Sequence, residues 1–110
     1  MEIIDYSKDR ILILTIKGRL DAITAPEFKE ILFRHIEAGK SSIVLDMHSL
    51  EYISSAGIRV LYQTLNIIEE KQGKIVISAP SDSVRKVFDI VELSSDFPIH
   101  KDIDEATKVF

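Results

Sequence analysis

The sequence predicts an α/β fold: a mixed, mostly parallel sheet of about five strands with four helices packed on it. Short runs rich in β-branched residues alternate with segments whose apolar residues recur every three or four positions. The connections between them are short, and most helical segments carry their own start and stop signals.

Ile3-Ile4 opens the chain as a short strand near an edge, and Lys8-Asp9 reads as a turn. Ile11 to Ile16 is dense in β-branched residues and predicts a buried strand, with Gly18 closing it or making a bulge. The first two strands can pair antiparallel through their short turn, which would make the sheet mixed. Thr24-Ala25-Pro26-Glu27 predicts a helix start, with Thr24 and Glu27 as a capping box and Pro26 in the first turn. Phe28, Ile31, Leu32, His35 and Ile36 follow at helical spacing, and Ala38-Gly39 ends the helix.

Ile43 to Met47 reads as a central strand buried on both faces, followed by a loop from His48 to Ile53. A second helix begins at the serines, with Ile58, Leu61, Tyr62, Leu65 and Ile68 on its apolar face, and Gln72-Gly73 stops it. Lys74 to Ser78 is the next strand. Pro80 suits the first turn of a third helix, whose stripe is Val84, Val87, Phe88 and Val91. Phe97 to His100 reads as an edge strand because Pro98 has no N–H to donate. Asp102-Ile103-Asp104-Glu105 is a second capping box, opening a last helix with Ile103, Ala106, Thr107 and Phe110 on one side.

The 110 residues suit one domain spanning residues 1-110, and 45% hydrophobic with 29% charged residues is globular composition. No cysteine is present, which removes disulfides, thiolate metal sites and a thiol nucleophile. The formal net charge of -4, with no cluster of Lys and Arg, argues against nucleic acid as a partner. No signal peptide or membrane-spanning run is read, so a cytoplasmic protein is expected. The three histidines are scattered without ligand spacing, so no metal is expected. His35 reads as a boundary residue, and His48 and His100 as loop or edge residues.

The most informative unit is the strand, loop and helix from Ile43 to Ile68. In open α/β sheets ligands gather at the carboxyl ends of the parallel strands. Ser54 and Ser55 fall where a helix begins, where backbone N–H groups lack partners and the dipole favours negative charge. One reading of this pair is a helix cap, serine being among the best N-cap residues. The other is a phosphorylation switch: a phosphate adds about -1.5 to -2 charges, which the helix end tolerates and a partner packed over the turn does not. Gly57 would let such a partner approach the backbone, or would let the helix pack closely on the sheet.

Ile43-Val44-Leu45-Asp46, Leu50 and Tyr52-Ile53-Ser54-Ser55-Ala56-Gly57-Ile58 resemble the signature of the STAS domain. Gly18-Arg19-Leu20-Asp21 with Thr24-Ala25-Pro26 is similar to the second motif of that family. The resemblance covers essentially the whole chain and is narrowest to the stand-alone bacterial anti-sigma factor antagonists. It implies the STAS-like (SpoIIAA-like) fold and a non-enzymatic, monomeric protein that needs no cofactor. It also implies partner switching. The unphosphorylated protein binds an anti-sigma factor that is also a serine kinase of the GHKL ATPase type, and a PP2C-type phosphatase reverses the kinase's action. The family pattern Asp-Ser-small-Gly places the acceptor at Ser55 and puts Ser54 where the family has aspartate, leaving Ser54 as an alternative acceptor. Arg59 stands where a small residue is common. The implied partner surface is Asp21 and Thr24, the turn Ser54, Ser55, Ala56, Gly57, and Arg59.

Two rivals follow. A STAS domain can serve as a docking subunit of a transport or signalling complex without a switch. A nucleotide-binding protein could use the helix N-terminus, but the chain has no G-x-x-x-x-G-K-[ST] loop. Asp46 lacks the acidic pair and lysine of a receiver domain, and Asp46, His48 and Ser55 lack a nucleophile elbow. Asp46 is expected to accept hydrogen bonds from the loop that follows it.

Overall fold

The computed structural model describes residues 1–110. β1 (Glu2–Lys8) and β2 (Ile11–Leu20) form an antiparallel hairpin in which Lys8 opposes Ile11. The turn between them is Asp9-Arg10, both with positive φ, 52° and 66°. That is the sign a two-residue hairpin needs to match strand twist. β3 (Ser42–Asp46), β5 (Lys74–Ser78) and β6 (Ile99–His100) add in parallel, giving the order β1-β2-β3-β5-β6.

Alternate residues of the central strands enter two different cores. Leu12, Leu14 and Ile16 of β2, with Ile43, Leu45, Ile75 and Ile77, face α1 (Ala25–Glu37), α2 (Ser55–Glu70) and α3 (Asp82–Ile90) in a cluster of 22 buried residues. Ile11, Ile13, Val44 and Val76 face the other way and meet only α4 (Ile103–Thr107), through Ala106 and the partly buried Ile103. The central strands are thus buried on both faces, as their unbroken apolar runs predict.

The sheet has six strands rather than about five. The extra one, β4 (Leu50–Ile53), lies in the expected loop and pairs in parallel with the end of β2, after a register shift between Gly18 and Arg19. Gly18 sits at φ +96°, a conformation that glycine adopts without strain. β4 is held from outside as well: Ser81 Oγ donates to Leu50 O at 2.6 Å and Ser83 Oγ to Glu51 O at 2.8 Å.

Several local expectations change. Thr24 adopts a helical φ, ψ and makes no side-chain cap, so the first capping box does not form. Pro80 lies before the N-cap Ser81, whose Oγ accepts from Val84 N–H, so it precedes the first turn. Val91 is the C-cap of α3 and 43% exposed, so the stripe ends at Phe88. The buried line of α2 runs through Gly57, Val60, Leu61, Thr64 and Ile68, while Ile58, Tyr62 and Leu65 flank it. The second capping box forms in part, with Asp102 Oδ1 accepting from Glu105 N–H at 2.8 Å. Phe110 lies beyond α4 and is exposed. No helix is long and apolar enough to cross a membrane.

Candidate functional site

The end of β2 and the start of α2 meet at one place. Ser54 N–H donates to Leu20 O at 2.9 Å, which ties the serine turn to the last residue of β2. The next four residues form a turn closed by Asp21. Its Oδ1 accepts from Ile23 N–H at 3.0 Å and Thr24 N–H at 3.1 Å. Thr24 Oγ1 in turn accepts from Asp21 N–H and donates to Arg19 O, each at 2.9 Å. Thr24 is therefore spent on fixing the loop, which is why it does not cap α1. The Thr24 backbone N–H, together with that of Ile23, the Thr24 hydroxyl and the Arg19 charge, holds the Asp21 carboxyl below its ordinary pKa, against a smaller opposing effect of burial.

This closed turn pushes Ile23 outward, 86% exposed. Beside it runs a groove of about 450 Å³ between α1 and α2, lined among others by Ala22, Pro26, Lys29, Ala56, Arg59 and Gln63. The sequence reading included Ala56 and Arg59 but missed Ile23, Lys29 and Gln63. The signal for Ile23 was available: an isoleucine inside an Asx turn has no core to enter.

The two serines differ in access. Ser55 is the first residue of α2 and is exposed. Ser54 is the extended N-cap residue, yet its Oγ makes no cap bond and is buried without any partner. The expected serine cap is thus absent, and Ser54 as the alternative acceptor has its hydroxyl shut in. The first turn of α2 carries no acidic residue of its own to offset the positive end of the helix.

Gly57 is buried and points inward. A Cβ there would stand 2.8 Å from Ile53 Cγ1 and 2.9 Å from Leu20 Cγ. Of its two expected roles, close helix–sheet packing is the one present, and Gly57 does not offer its backbone to a partner. Asp46 is also buried, 1% exposed. It accepts from Thr15 Oγ1 at 3.0 Å and Ser78 Oγ at 3.4 Å, and His48 Nδ1 lies 2.9 Å from its Oδ2. The expected bond from the following loop is there as well, from His48 N–H at 3.4 Å. Ser55 makes no hydrogen bond to His48, so Asp46 and His48 meet but no triad forms.

A family model described as the STAS domain matches residues 2–106. The chain belongs to the STAS-domain family. This STAS domain is 31% identical over 102 residues to the candidate anti-sigma factor antagonist BtrV of Bordetella bronchiseptica, covering 93% of this chain and 88% of that protein. Its fold is also that of a candidate anti-sigma factor antagonist from Thermotoga maritima, with a TM-score of 0.92 at 24% identity, over 96% of this chain and 92% of that one. The anti-sigma factor antagonist SpoIIAA of Bacillus shares the fold in its unphosphorylated form, with a TM-score of 0.83 at 19% identity over 98% and 96% of the two chains. It has also been solved phosphorylated, where the TM-score is 0.75 at 17% identity over 99% and 100% of the chains. In this STAS domain the resemblance read from the serine turn and the Asp21 loop therefore holds for the family and for the SpoIIAA-like fold.

Proposed function

We propose that this STAS domain is an anti-sigma factor antagonist: a binding module, not an enzyme, that works in the cytoplasm. Unphosphorylated, it binds an anti-sigma factor of the GHKL ATPase type, and that partner releases it by phosphorylating Ser55. A PP2C-type phosphatase restores the binding form. The observation that carries the reading is the contrast between the exposed Ser55 and the enclosed Ser54 hydroxyl at one helix start. The 31% identity to BtrV over nearly the whole chain supports the role.

The physics of the switch is local. A phosphate on Ser55 would lie at the positive end of α2, so the fold tolerates it. A partner seated over Ile23, Ala56 and Arg59 would have to desolvate a dianion at its edge. Ser54 in the family's aspartate position removes one fixed negative charge, so the unmodified serine turn carries no charge of its own and the phosphate adds the negative charge there. Titration calorimetry with a purified anti-sigma factor of the GHKL ATPase type from the same organism tests the reading. Wild type should bind and Ser55→Glu should bind at least about tenfold more weakly, in line with charge placed at a buried contact. Equal binding by both would leave the turn as a constitutive docking surface.

A further inference from the structure

β1 ends the sheet, and no backbone group of Glu2–Lys8 bonds to anything beyond its ladder with β2. Alternate N–H and C=O groups of this seven-residue strand therefore point outward unpaired. Two large apolar side chains stand exposed on the same strand, Ile4 at 42% and Tyr6 at 45%. The register with β2 sets Tyr6 opposite Ile13 and Ile4 opposite Thr15, so both lie on the face that carries α4. Glu2 and Lys8 share that face by the two-residue period. Ile3, Asp5 and Ser7 lie on the other, where His35 Nε2 of α1 approaches Asp5 Oδ2 at 3.1 Å.

We propose that β1 is the contact edge of a two-fold symmetric dimer, in which a second copy of the chain pairs its own β1 antiparallel about Asp5 to make one continuous sheet. A sheet continued across a two-fold axis keeps its faces only if even residues oppose even residues and odd oppose odd. Among the registers that do so, the one centred on Asp5 pairs every residue of the strand. It sets Glu2 against Lys8 and Ile4 against Tyr6, each twice by symmetry, and Ile3 against Ser7. Opposite charges and a β-branched residue against an aromatic are favourable cross-strand pairs. Centred on Ile4 or Tyr6, the strand loses the charge pair and buries Ile3 or Ile4 against a charged neighbour. The charges that deter arbitrary edge pairing are thus complementary in a single register. Glu2 has no ion-pair partner within the chain, and Lys8 reaches only Asp104, at 4.0 Å. The opposing element is Asp5 against Asp5, each with His35 Nε2 of its own copy 3.1 Å from its carboxylate. None of Asp21, Thr24, Ser54, Ser55, Ala56 or Arg59 lies on β1, so the proposal stands apart from the partner-switching reading, and it departs from the monomer expected of such a domain.

Sedimentation equilibrium of the full chain, over a range of protein concentration, reads the dissociation constant. Wild type should show a monomer–dimer equilibrium. Glu2→Lys should weaken it by about tenfold, since two like-charge pairs replace two opposite ones. Adding Lys8→Glu to that variant should restore it, and Asp5→Asn should tighten it. The natural chain has no cysteine, so single replacements report the register cleanly. Asp5→Cys should form a disulfide-linked dimer under mild oxidation, because a residue opposite itself has Cα atoms about 4.5–5.5 Å apart. Ile4→Cys and Tyr6→Cys should crosslink with each other when mixed and not with themselves. A chain that stays monomeric at every concentration overturns the proposal. So does a dimer that neither responds to the charge exchange nor crosslinks through Asp5→Cys.

Discussion

Gly57 of α2 lies against Leu20 of β2 so closely that a Cβ would stand 2.9 Å from the leucine's Cγ. Leu20 and Ile53 are both fully packed, with 0% and 1% exposure, so neither has room to yield. This contact seats the start of α2 on the sheet and, with the Ser54 N–H to Leu20 O bond, fixes where Ser55 emerges.

Gly57→Ala therefore destabilises the domain. Overpacking a core typically costs about 1–3 kcal/mol, and the gain in helix propensity returns about 1 kcal/mol of that. A net loss of about 1 kcal/mol is expected in urea denaturation, with Gly57→Val losing more. Unchanged or raised stability in both variants would contradict the close packing.

Asp46 closes a polar row across the sheet: Thr15, Asp46 and Ser78 are neighbours in register. Removing the carboxylate leaves the buried Thr15 hydroxyl without its acceptor and loosens that of Ser78. Asp46→Ala should cost about 1–3 kcal/mol, the usual penalty for orphaned buried polar groups. The Ser55 turn should keep its function in the folded fraction. Loss of partner binding at full stability would instead place Asp46 in the interface.

Tyr62 Oη donates to Asp96 Oδ2 at 2.7 Å, and this bond is the first cause of a pKa raised above the ordinary tyrosine value, with burial and the Asp96 charge adding to it. Because the folded pKa is the higher one, the bond contributes stability below the unfolded value. That contribution is lost as pH rises through the folded value. Wild type should lose stability relative to Tyr62→Phe as pH climbs past about 10. Parallel curves for the two proteins would contradict this.

The Asp21 turn titrates at the other end. Its carboxyl pKa is lowered in the folded state, so the turn's contribution is full above the ordinary value and fades as pH falls through the lowered one. Nuclear magnetic resonance should find Asp21 titrating below the ordinary aspartate value, with the Ile23 and Thr24 amides moving together with it. Asp21→Asn keeps an oxygen that accepts both amides, so it should preserve the turn, whereas Asp21→Ala should release it. Amides that ignore the Asp21 titration would show that the carboxylate does not close the loop.

The central strands were legible because their residues are buried on both faces and read as continuous apolar runs. β4 was not, because its four residues alternate poorly and owe their extended form to Gly18–Leu20 on one side and Ser81 and Ser83 on the other. The capping role expected of Thr24 failed for a related reason: its hydroxyl meets Arg19 at the end of β2 and Asp21 in the loop before it. The helix start at the serine turn was visible from the residues Tyr52 to Ile58 and their family resemblance. The unequal access of Ser54 and Ser55 was not visible, since it arises from where Leu20 O pulls the Ser54 backbone.

Site mapping after phosphorylation tests the central claim most directly. The protein, Ser54→Ala and Ser55→Ala would each be incubated with the GHKL-type kinase and ATP, then measured by intact mass and peptide fragmentation. One phosphate on Ser55 in wild type and Ser54→Ala, with none in Ser55→Ala, is the predicted result. Phosphate on Ser54, or no phosphate from a kinase active on its own antagonist, would contradict the switch.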